Sequence, residues 1–179
     1  VENAKKQRTS LASSGRGSVP HLAGELLADA TKAQLVDVPY KGAAPAITDV
    51  MAGHVDGFFG DVPGLIGHVR AGRLKPIAMA AEQRHPLLPD VKTFKEVGID
   101  GVDSDNWYAL FGPKGMSAED TNRVGQALKR ALETPAVKER LLNSGTLPAA
   151  SSPAELQALL QKDIAKWGRV IREKNITAD

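Results

Sequence analysis

The feature that most constrains the fold is an alternation, in the first half of the chain, of short apolar segments with longer amphipathic ones. The short segments are predicted as strands and lie at residues 9–13, 35–38, 55–59 and 75–81. The amphipathic segments are predicted as helices and lie at residues 19–30, 43–52 and 62–71. This alternation predicts an α/β fold with a parallel sheet covered by helices. Right-handed crossovers would place every strand-to-helix loop along one sheet edge, where ligands bind in open α/β sheets.

The second half of the chain is predicted to be mainly helical. Ser117 with Asp120, and Ser152 with Glu155, have the spacing of capping boxes at helix N-termini. A further helix is predicted at residues 135–143. After the second box, apolar residues recur at helical spacing: Leu156, Leu159, Leu160, Ile164, Trp167, Val170 and Ile171. A strand at residues 107–111 is predicted to join the halves, and the helices need another surface to pack on.

The composition excludes several classes of protein. Apolar residues make up 42% of the chain, enough for a real core, while the formal net charge of +2 is too small to favour nucleic acid as a partner. The absence of cysteine excludes disulfides and cysteine-ligated metals. No apolar run approaches the ~18 residues needed to cross a bilayer. Residues 1–7 carry no signal peptide and resemble the tail of a helix, so we expect the natural front of the protein to be absent.

No sequence motif identifies a catalytic centre, a metal site or a cofactor site. The pair Gly15 and Gly17 lacks the third glycine of a dinucleotide-binding loop, because Pro20 stands at that position. None of the four histidines has the spacing of a metal site. His21 could assist at an anion site, but a structural role is favoured for it. We therefore expect a protein that is not an enzyme and that binds neither a metal nor an organic cofactor.

Two loops of the predicted sheet edge have the character of anion sites. The loop Gly15–Ser18 leads into the first predicted helix, and the loop Tyr40–Pro45 leads into the second. Free backbone N–H groups and the helix dipole attract anions at such helix N-termini, and small residues keep the backbone approachable. Each loop alone is weak evidence, since glycine and serine before a helix usually form only a cap. Two such loops on one sheet edge could bind a single carboxylate from two sides.

These same segments resemble the substrate-binding proteins of tripartite tricarboxylate transporters, the Bug family. The most specific part of the resemblance is the stretch Val-Pro-Tyr-Lys-Gly together with the Gly-x-Gly-Ser loop. The similar segments are Ser13–Leu22, Val38–Ala46, Gly53–Phe59, Ala71–Ala78, Leu88–Thr93 and Gly112–Met116. The resemblance extends over essentially the whole chain.

The resemblance implies a periplasmic-binding-protein-like fold of type II, with two lobes that close on a ligand. On that pattern, residues 6–105 form ligand-binding lobe two. Residues 106–179 supply a crossing strand and the C-terminal helices of lobe one, whose leading part is absent. That leading part would carry the signal peptide and half of the ligand site. The family is periplasmic, and this chain is expected to be so as well.

The resemblance also assigns a set of ligand contacts in lobe two. These are Gly17, Ser18, Lys41, Gly42, Ala43, Ala44 and Asp61. The negative charge of Asp61 suits an amino or hydroxyl group of the ligand; a role as the N-cap of the helix at Val62 is an equal alternative. The sequence departs from the common family form at Ala109 and Lys114, near the crossing region, and these departures bear on hinge behaviour.

The function implied is capture of a small organic carboxylate for a membrane tripartite tricarboxylate transporter. Di- and tricarboxylates, acidic amino acids and aromatic carboxylates are the ligand classes of the family. One alternative is a sensor that reports the ligand to a signalling partner. Another is an isomerase or lyase that uses Asp61 and His21; Asp56 is a poor second carboxylate, because its odd spacing from Asp61 places them on opposite faces of a strand. A third is a truncated product without ligand function.

An incomplete lobe one has a consequence for stability. The apolar residues Leu156, Leu160, Ile164, Trp167 and Ile171 would lose their partners, and burial of one such side chain contributes about 1.5–3 kcal/mol. We therefore expect this chain to be unstable, aggregated, or paired with a second chain or fragment. The permease subunits of the transporter are the other expected macromolecular partner.

Overall fold

The computed structural model describes residues 8–177, and the chain divides into two compact units. Unit 1 comprises the chain up to Asn106 together with the segment from Trp167 onward, and unit 2 comprises Trp107–Lys166. The assignment of residues 6–105 and 106–179 to two lobes of a larger fold stays a prediction. The expected helix tail at residues 1–7 lies outside the described residues.

Unit 1 is built on a parallel three-stranded sheet. Its strands are β1 (Thr9–Ser13), β2 (Leu35–Pro39) and β3 (Gly57–Phe58), in the order β2-β1-β3. Three helices follow these strands: α1 (Val19–Thr31), α2 (Ala43–Ala52) and α3 (Val62–Arg70). The predicted α/β architecture with a parallel sheet is confirmed, and α2 has the bounds that the sequence predicts.

Two of the predicted strands are absent and a third is short. Residues 75–81 form only a single bridge, between Met79 and Thr93, and Pro76 within this segment has no N–H to donate to a ladder. β3 covers only two of the five predicted positions. Just before it, the Asp56 carboxylate accepts from the N–H of Ser10 at 2.7 Å, which removes that N–H from the ladder. Residues 107–111 have no strand partner in the part of the chain that the structure describes.

The core of unit 1 lies on both faces of the sheet region. One cluster contains Leu22 and Leu26 of α1 with Val170 and Ile176, and Trp167 and Ile171 pack against it. A second cluster contains Ala12, Ala46 and Val55. The C-terminal segment is further fixed by Lys174, whose ammonium group binds Asp29 and lies 3.3 Å from Glu25.

A short 3-10 helix (Lys95–Val97) is stabilised by a capping box and an ion pair. The Thr93 hydroxyl accepts from the N–H of Glu96 at 3.1 Å, and the Glu96 carboxylate accepts from the N–H of Thr93 at 2.8 Å. The Arg84 guanidinium binds the same carboxylate at 2.8–3.0 Å. The hydrogen bond from Arg84, then the one from Thr93, lowers the pKa of Glu96 from 4.5 to about 2.

Unit 2 consists of helices, and two of them are capped at their N-termini as predicted. They are α4 (Ala118–Glu133), α5 (Pro135–Asn143) and the larger part of α6 (Pro153–Glu173), which continues into unit 1. The Ser117 hydroxyl accepts from the N–H of Asp120 at 3.0 Å, and the Ser152 hydroxyl accepts from the N–H of Glu155 at 3.2 Å. None of the helices within residues 8–177 is long and apolar enough to cross a membrane.

The apolar faces of unit 2 are largely exposed within this chain. The exposed apolar side chains of the unit are Tyr108, Leu110, Phe111, Val124, Leu128, Val137, Leu147, Leu159 and Ile164. Of the five side chains predicted to lose their partners, Ile164 is exposed, whereas Leu156 and Leu160 are half-buried. The expectation that Trp167 and Ile171 also lack partners is wrong, because both pack on the Leu22–Leu26 cluster.

Glu96 makes the unfolding free energy depend on pH. Its folded-state pKa is depressed, so ionised Glu96 stabilises the fold fully above about pH 4.5, and this contribution is lost as the pH falls towards about 2. We predict that Glu96→Gln lowers stability near neutral pH and flattens the dependence of unfolding free energy on pH in that interval. Urea unfolding at a series of pH values measures both effects.

A second substitution provides the control. Arg84→Gln keeps the Glu96 carboxylate but removes the strongest cause of its low pKa. The dependence of the unfolding free energy on pH should therefore flatten in the same interval. A Glu96→Gln variant that retains the wild-type pH dependence would contradict this account of the ion pair.

Candidate ligand-binding site

The loops after β1 and β2 lie side by side at one end of the sheet. Ser13 and Pro39, the last residues of the two strands, are paired in register. The N–H of Tyr40 donates to the carbonyl of Ser13 at 2.9 Å, which continues the pairing beyond the strands. A Cβ atom on Gly15 would lie 3.7 Å from the carbonyl oxygen of Tyr40. The structure thus brings together the two loops that the sequence singles out.

The first loop is fixed by its own hydrogen bonds. The N–H of Ser18 donates to the carbonyl of Gly15 at 3.1 Å, and the N–H of Gly17 donates to Nδ1 of His21 at 2.9 Å. These two amides are therefore engaged, although the sequence predicted free amides here. The start of α1 leaves the N–H groups of Val19 and His21 without an intrahelical acceptor. Pro20, between them, has no N–H.

Ser18 stands at the N-cap position of α1 but does not cap the helix with its side chain. Its backbone is extended, with φ −69° and ψ 160°, and its side chain makes no capping hydrogen bond. Pro20 is one cause, since it removes one of the two N–H groups to which an N-cap side chain usually bonds. The Ser18 hydroxyl oxygen is buried and has no hydrogen-bond partner among residues 8–177.

The second loop exposes the first turn of α2. Gly42 is the N-cap, with a φ of 107° that favours glycine. The amides of Gly42, Ala43 and Ala44 have no intrahelical acceptor, because they precede the first complete helical turn. The side chain of Lys41 is exposed immediately before this turn, as is that of Arg16 in the first loop. Both loops therefore present cationic character together with backbone donors.

Tyr40 anchors the second loop to α2. Its hydroxyl donates to the Asp49 carboxylate at 2.6 Å, and Nδ1 of His54 lies 3.4 Å from the other oxygen of Asp49. The hydrogen bond from Tyr40, followed by that from His54, lowers the pKa of Asp49, and the same contact with Asp49 raises the pKa of Tyr40. Sequence reasoning missed Asp49, although its helical position beneath the loop is a signal that could have identified it.

Asp61 lies in the loop after β3, at the N-cap position of α3. Its side chain makes no capping hydrogen bond. Instead both carboxylate oxygens accept from the amide nitrogen of Asn106, each at 3.1 Å. Asn106 was not predicted from the sequence, because 45 residues separate it from Asp61.

Asp56 does not form a pair with Asp61. Its carboxylate accepts from both the N–H and the hydroxyl of Ser10 at 2.7 Å. The hydroxyl bond, then the N–H bond, lowers the pKa of Asp56. Ser10 lies near the start of β1, whereas Asp61 follows the end of β3, and the strands are parallel. The described residues contain no cluster of three or more potential metal ligands.

Comparison with known proteins identifies one family. The model of the family described as "Tripartite tricarboxylate transporter family receptor" matches residues 1–176. Among curated relatives, "UPF0065 protein in tcbD-tcbE intergenic region" of Pseudomonas sp. (strain P51) is 32% identical over 96% of this chain and 52% of its own length. "Protein BugT" of Bordetella pertussis is 29% identical over 95% of this chain and 52% of its own length. The chain thus spans about half the length of the curated relatives it matches.

Solved structures show the same similarity. An R. palustris protein, Rpa4515, solved with adipate, has a TM-score of 0.87 and 26% identity over 98% of this chain and 60% of its own. A protein described as a periplasmic transporter has a TM-score of 0.87 and 32% identity over 99% of this chain and 60% of its own. MatC from Rhodopseudomonas palustris, with bound malate, has a TM-score of 0.78 and 30% identity over 91% of this chain and 56% of its own.

The unusual N-cap of α1 generates a stability prediction. Ser18→Ala removes a hydroxyl that makes no capping bond, so the free energy of unfolding should stay within about 0.5 kcal/mol of the wild-type value. Ser117→Ala and Ser152→Ala remove hydroxyls that do accept capping bonds, and each should cost about 1 kcal/mol. Urea unfolding compares the three variants. Equal losses in all three would show that Ser18 caps its helix after all.

Proposed function

The chain belongs to the tripartite tricarboxylate transporter receptor family, and we propose that it is a solute-binding protein that captures a small organic dicarboxylate. The observation that carries this proposal is the contact between the loops after β1 and β2, each of which leads into a helix N-terminus. The adipate and malate bound by two structural neighbours support the ligand class. Adipate and malate differ in length but share two carboxylates, and these are the groups to which the two loops are suited.

The first carboxylate is proposed to bind where the two helix N-termini meet. The donors are the exposed first-turn amides of α2, at Gly42, Ala43 and Ala44, with the Lys41 ammonium beside them. From α1, the contacts are Gly17 and Ser18. A hydrogen bond to a charged group contributes about 1.5–3 kcal/mol, and a helix N-terminus contributes roughly a further 0.3–1 kcal/mol.

Ser18 and Gly17 have different proposed roles in this contact. The Ser18 hydroxyl is buried without a hydrogen-bond partner among the described residues, and a ligand oxygen would supply one. Gly17 has a φ of 76°, and a Cβ there would lie 3.9 Å from Ile176. The absence of a side chain on Gly17 leaves the backbone of the loop open to the ligand.

Asp61 is proposed to select among ligands rather than to bind their carboxylates. Its charge would repel an anionic group, whereas a hydroxyl or amino group can donate to it. Asn106 holds both carboxylate oxygens of Asp61 in position. A 2-hydroxy dicarboxylate such as malate would therefore gain a contact that adipate lacks.

We further propose that the protein acts in the periplasm and delivers its ligand to the membrane subunits of a tripartite transporter. The family to which the chain belongs and a neighbour described as a periplasmic transporter support this. The exposed apolar side chains of α4, α5 and α6 are proposed to pack against a further segment that the longer relatives possess. That segment would complete one lobe and close the cleft over the ligand.

The proposal predicts a clear charge dependence of binding. Calorimetry on the full-length protein should detect binding of adipate and much weaker binding of its neutral diamide, because the amide removes the charge that the helix N-termini attract. Ser18→Ala should weaken adipate binding by about tenfold, since each 1.4 kcal/mol is a factor of ten. Ser18→Asp should weaken it far more, because it sets a negative charge against the ligand.

A matched control separates the charge effect from a general effect on folding. Ser117→Asp introduces the same residue at a helix N-cap in unit 2, where aspartate is a good cap, and should leave adipate binding unchanged. Equal affinity for adipate and its diamide, or an unaltered affinity in a folded Ser18→Asp variant, would remove the basis of the proposal.

A further inference from the structure

We propose that His21 is a positioning residue for ligand capture, which holds the Gly15–Ser18 loop as a neutral imidazole and releases it when protonated. The inference rests on the proposed function for its effect on ligand binding, but the hydrogen bond to the loop is independent of any ligand. Its consequence is a ligand affinity that falls in mildly acidic solution.

The hydrogen bond fixes the protonation state of the imidazole. The N–H of Gly17 donates to Nδ1 of His21 at 2.9 Å. A neutral imidazole has one acceptor nitrogen and one N–H, so Nδ1 must be unprotonated and Nε2 must carry the hydrogen. Protonation would turn Nδ1 into a donor that faces another donor. The loop can therefore keep this bond only while His21 is neutral.

The carboxylates near Nε2 of His21 favour the protonated ring. Nε2 lies 3.8 Å from the Glu25 carboxylate of α1 and 3.9 Å from the Asp37 carboxylate of β2. Both distances are too long for direct hydrogen bonds, but both charges would stabilise an imidazolium. From the C-terminal segment, Lys174 lies 3.3 Å from Glu25 and offsets part of this attraction. His21 thus stands between a loop that requires the neutral ring and two carboxylates that favour the charged one.

Space beside the ring allows the proton to reach it. A cavity of about 10 Å³ is lined by residues that include His21, Glu25 and Asp37, which is close to the space that one water molecule needs. The side chain of His21 is otherwise buried, with 7% of its surface exposed. Histidine side chains in general change charge between about pH 5 and pH 8, and the measurements that test the switch span that interval.

The test compares wild type with a variant that keeps the acceptor but cannot titrate. In His21→Asn, the side-chain oxygen occupies the same branch position as Nδ1 and can accept from Gly17 at any pH. His21→Leu has no acceptor at all. Adipate affinity is measured by calorimetry on the full chain at about pH 7.5 and about pH 5.5, which bracket histidine titration. Because adipate itself gains protons near the lower pH, the change in affinity is read relative to His21→Asn.

Loss of one neutral hydrogen bond predicts that wild type loses about threefold to tenfold more affinity than His21→Asn over this interval. His21→Leu should bind adipate weakly at both pH values, without the additional loss of affinity that wild type shows at the lower pH. Parallel behaviour of wild type and His21→Asn would overturn the role in binding, since a merely structural histidine would give no difference in the pH profile.

A ligand-free measurement keeps this inference separate from the proposed function. The protection of the Gly17 amide against hydrogen exchange, corrected for the intrinsic rate, should fall at the lower pH in wild type and stay constant in His21→Asn. In wild type, the Gly17 amide and the His21 ring nitrogens should also titrate together in NMR spectra, which needs no variant. If adipate does not bind at either pH, the proposed function fails, while these measurements still decide the loop switch. A Gly17 amide that does not follow His21 would overturn it.

Discussion

The parallel pairing of β1 with β2 is the interaction on which the rest of the site depends. Five residue pairs are in register, and the bond from Tyr40 to Ser13 extends the pairing into the loops. Parallel strands end at the same edge, so the helices that follow them begin side by side. In the proposed site, these two helix N-termini together form one surface for a single carboxylate. The sheet contributes no side chain to the chemistry, but it sets the spacing of the donors.

The loops are held by residues outside the proposed ligand set. Asp49 fixes Tyr40 and the second loop, His21 fixes Gly17 and the first loop, and Asn106 fixes Asp61. Each contact restricts a loop of the proposed site, and such preorganisation would reduce the ordering cost of ligand binding. The same contacts are points of control, because a change in the protonation of an anchor would alter the loop that it holds.

The sequence predicts local features well and long-range contacts poorly. Local sequence signals predict the capping boxes at Ser117 and Ser152 and the bounds of α2, because each depends on residues close together in the chain. The Asn106–Asp61 contact spans 45 residues and leaves no such signal. The segment at residues 75–81 is apolar enough for a strand, but its backbone bonds to a loop instead. Ser18 has the extended conformation of an N-cap, and Pro20 shows in the sequence that one of the two usual donors is missing. That the other donor, the N–H of His21, also makes no bond to Ser18 could be recognised only in three dimensions.

In the proposed site, two helix N-termini bind one carboxylate. The most direct measurement is a titration of the full chain with adipate, followed through backbone amide shifts in NMR spectra. If both helix N-termini bind the same carboxylate, the amides of Val19 at the start of α1 and of Ala43 and Ala44 at the start of α2 shift together, with one common affinity. Shifts at only one helix N-terminus, or two different affinities at the two loops, would contradict it.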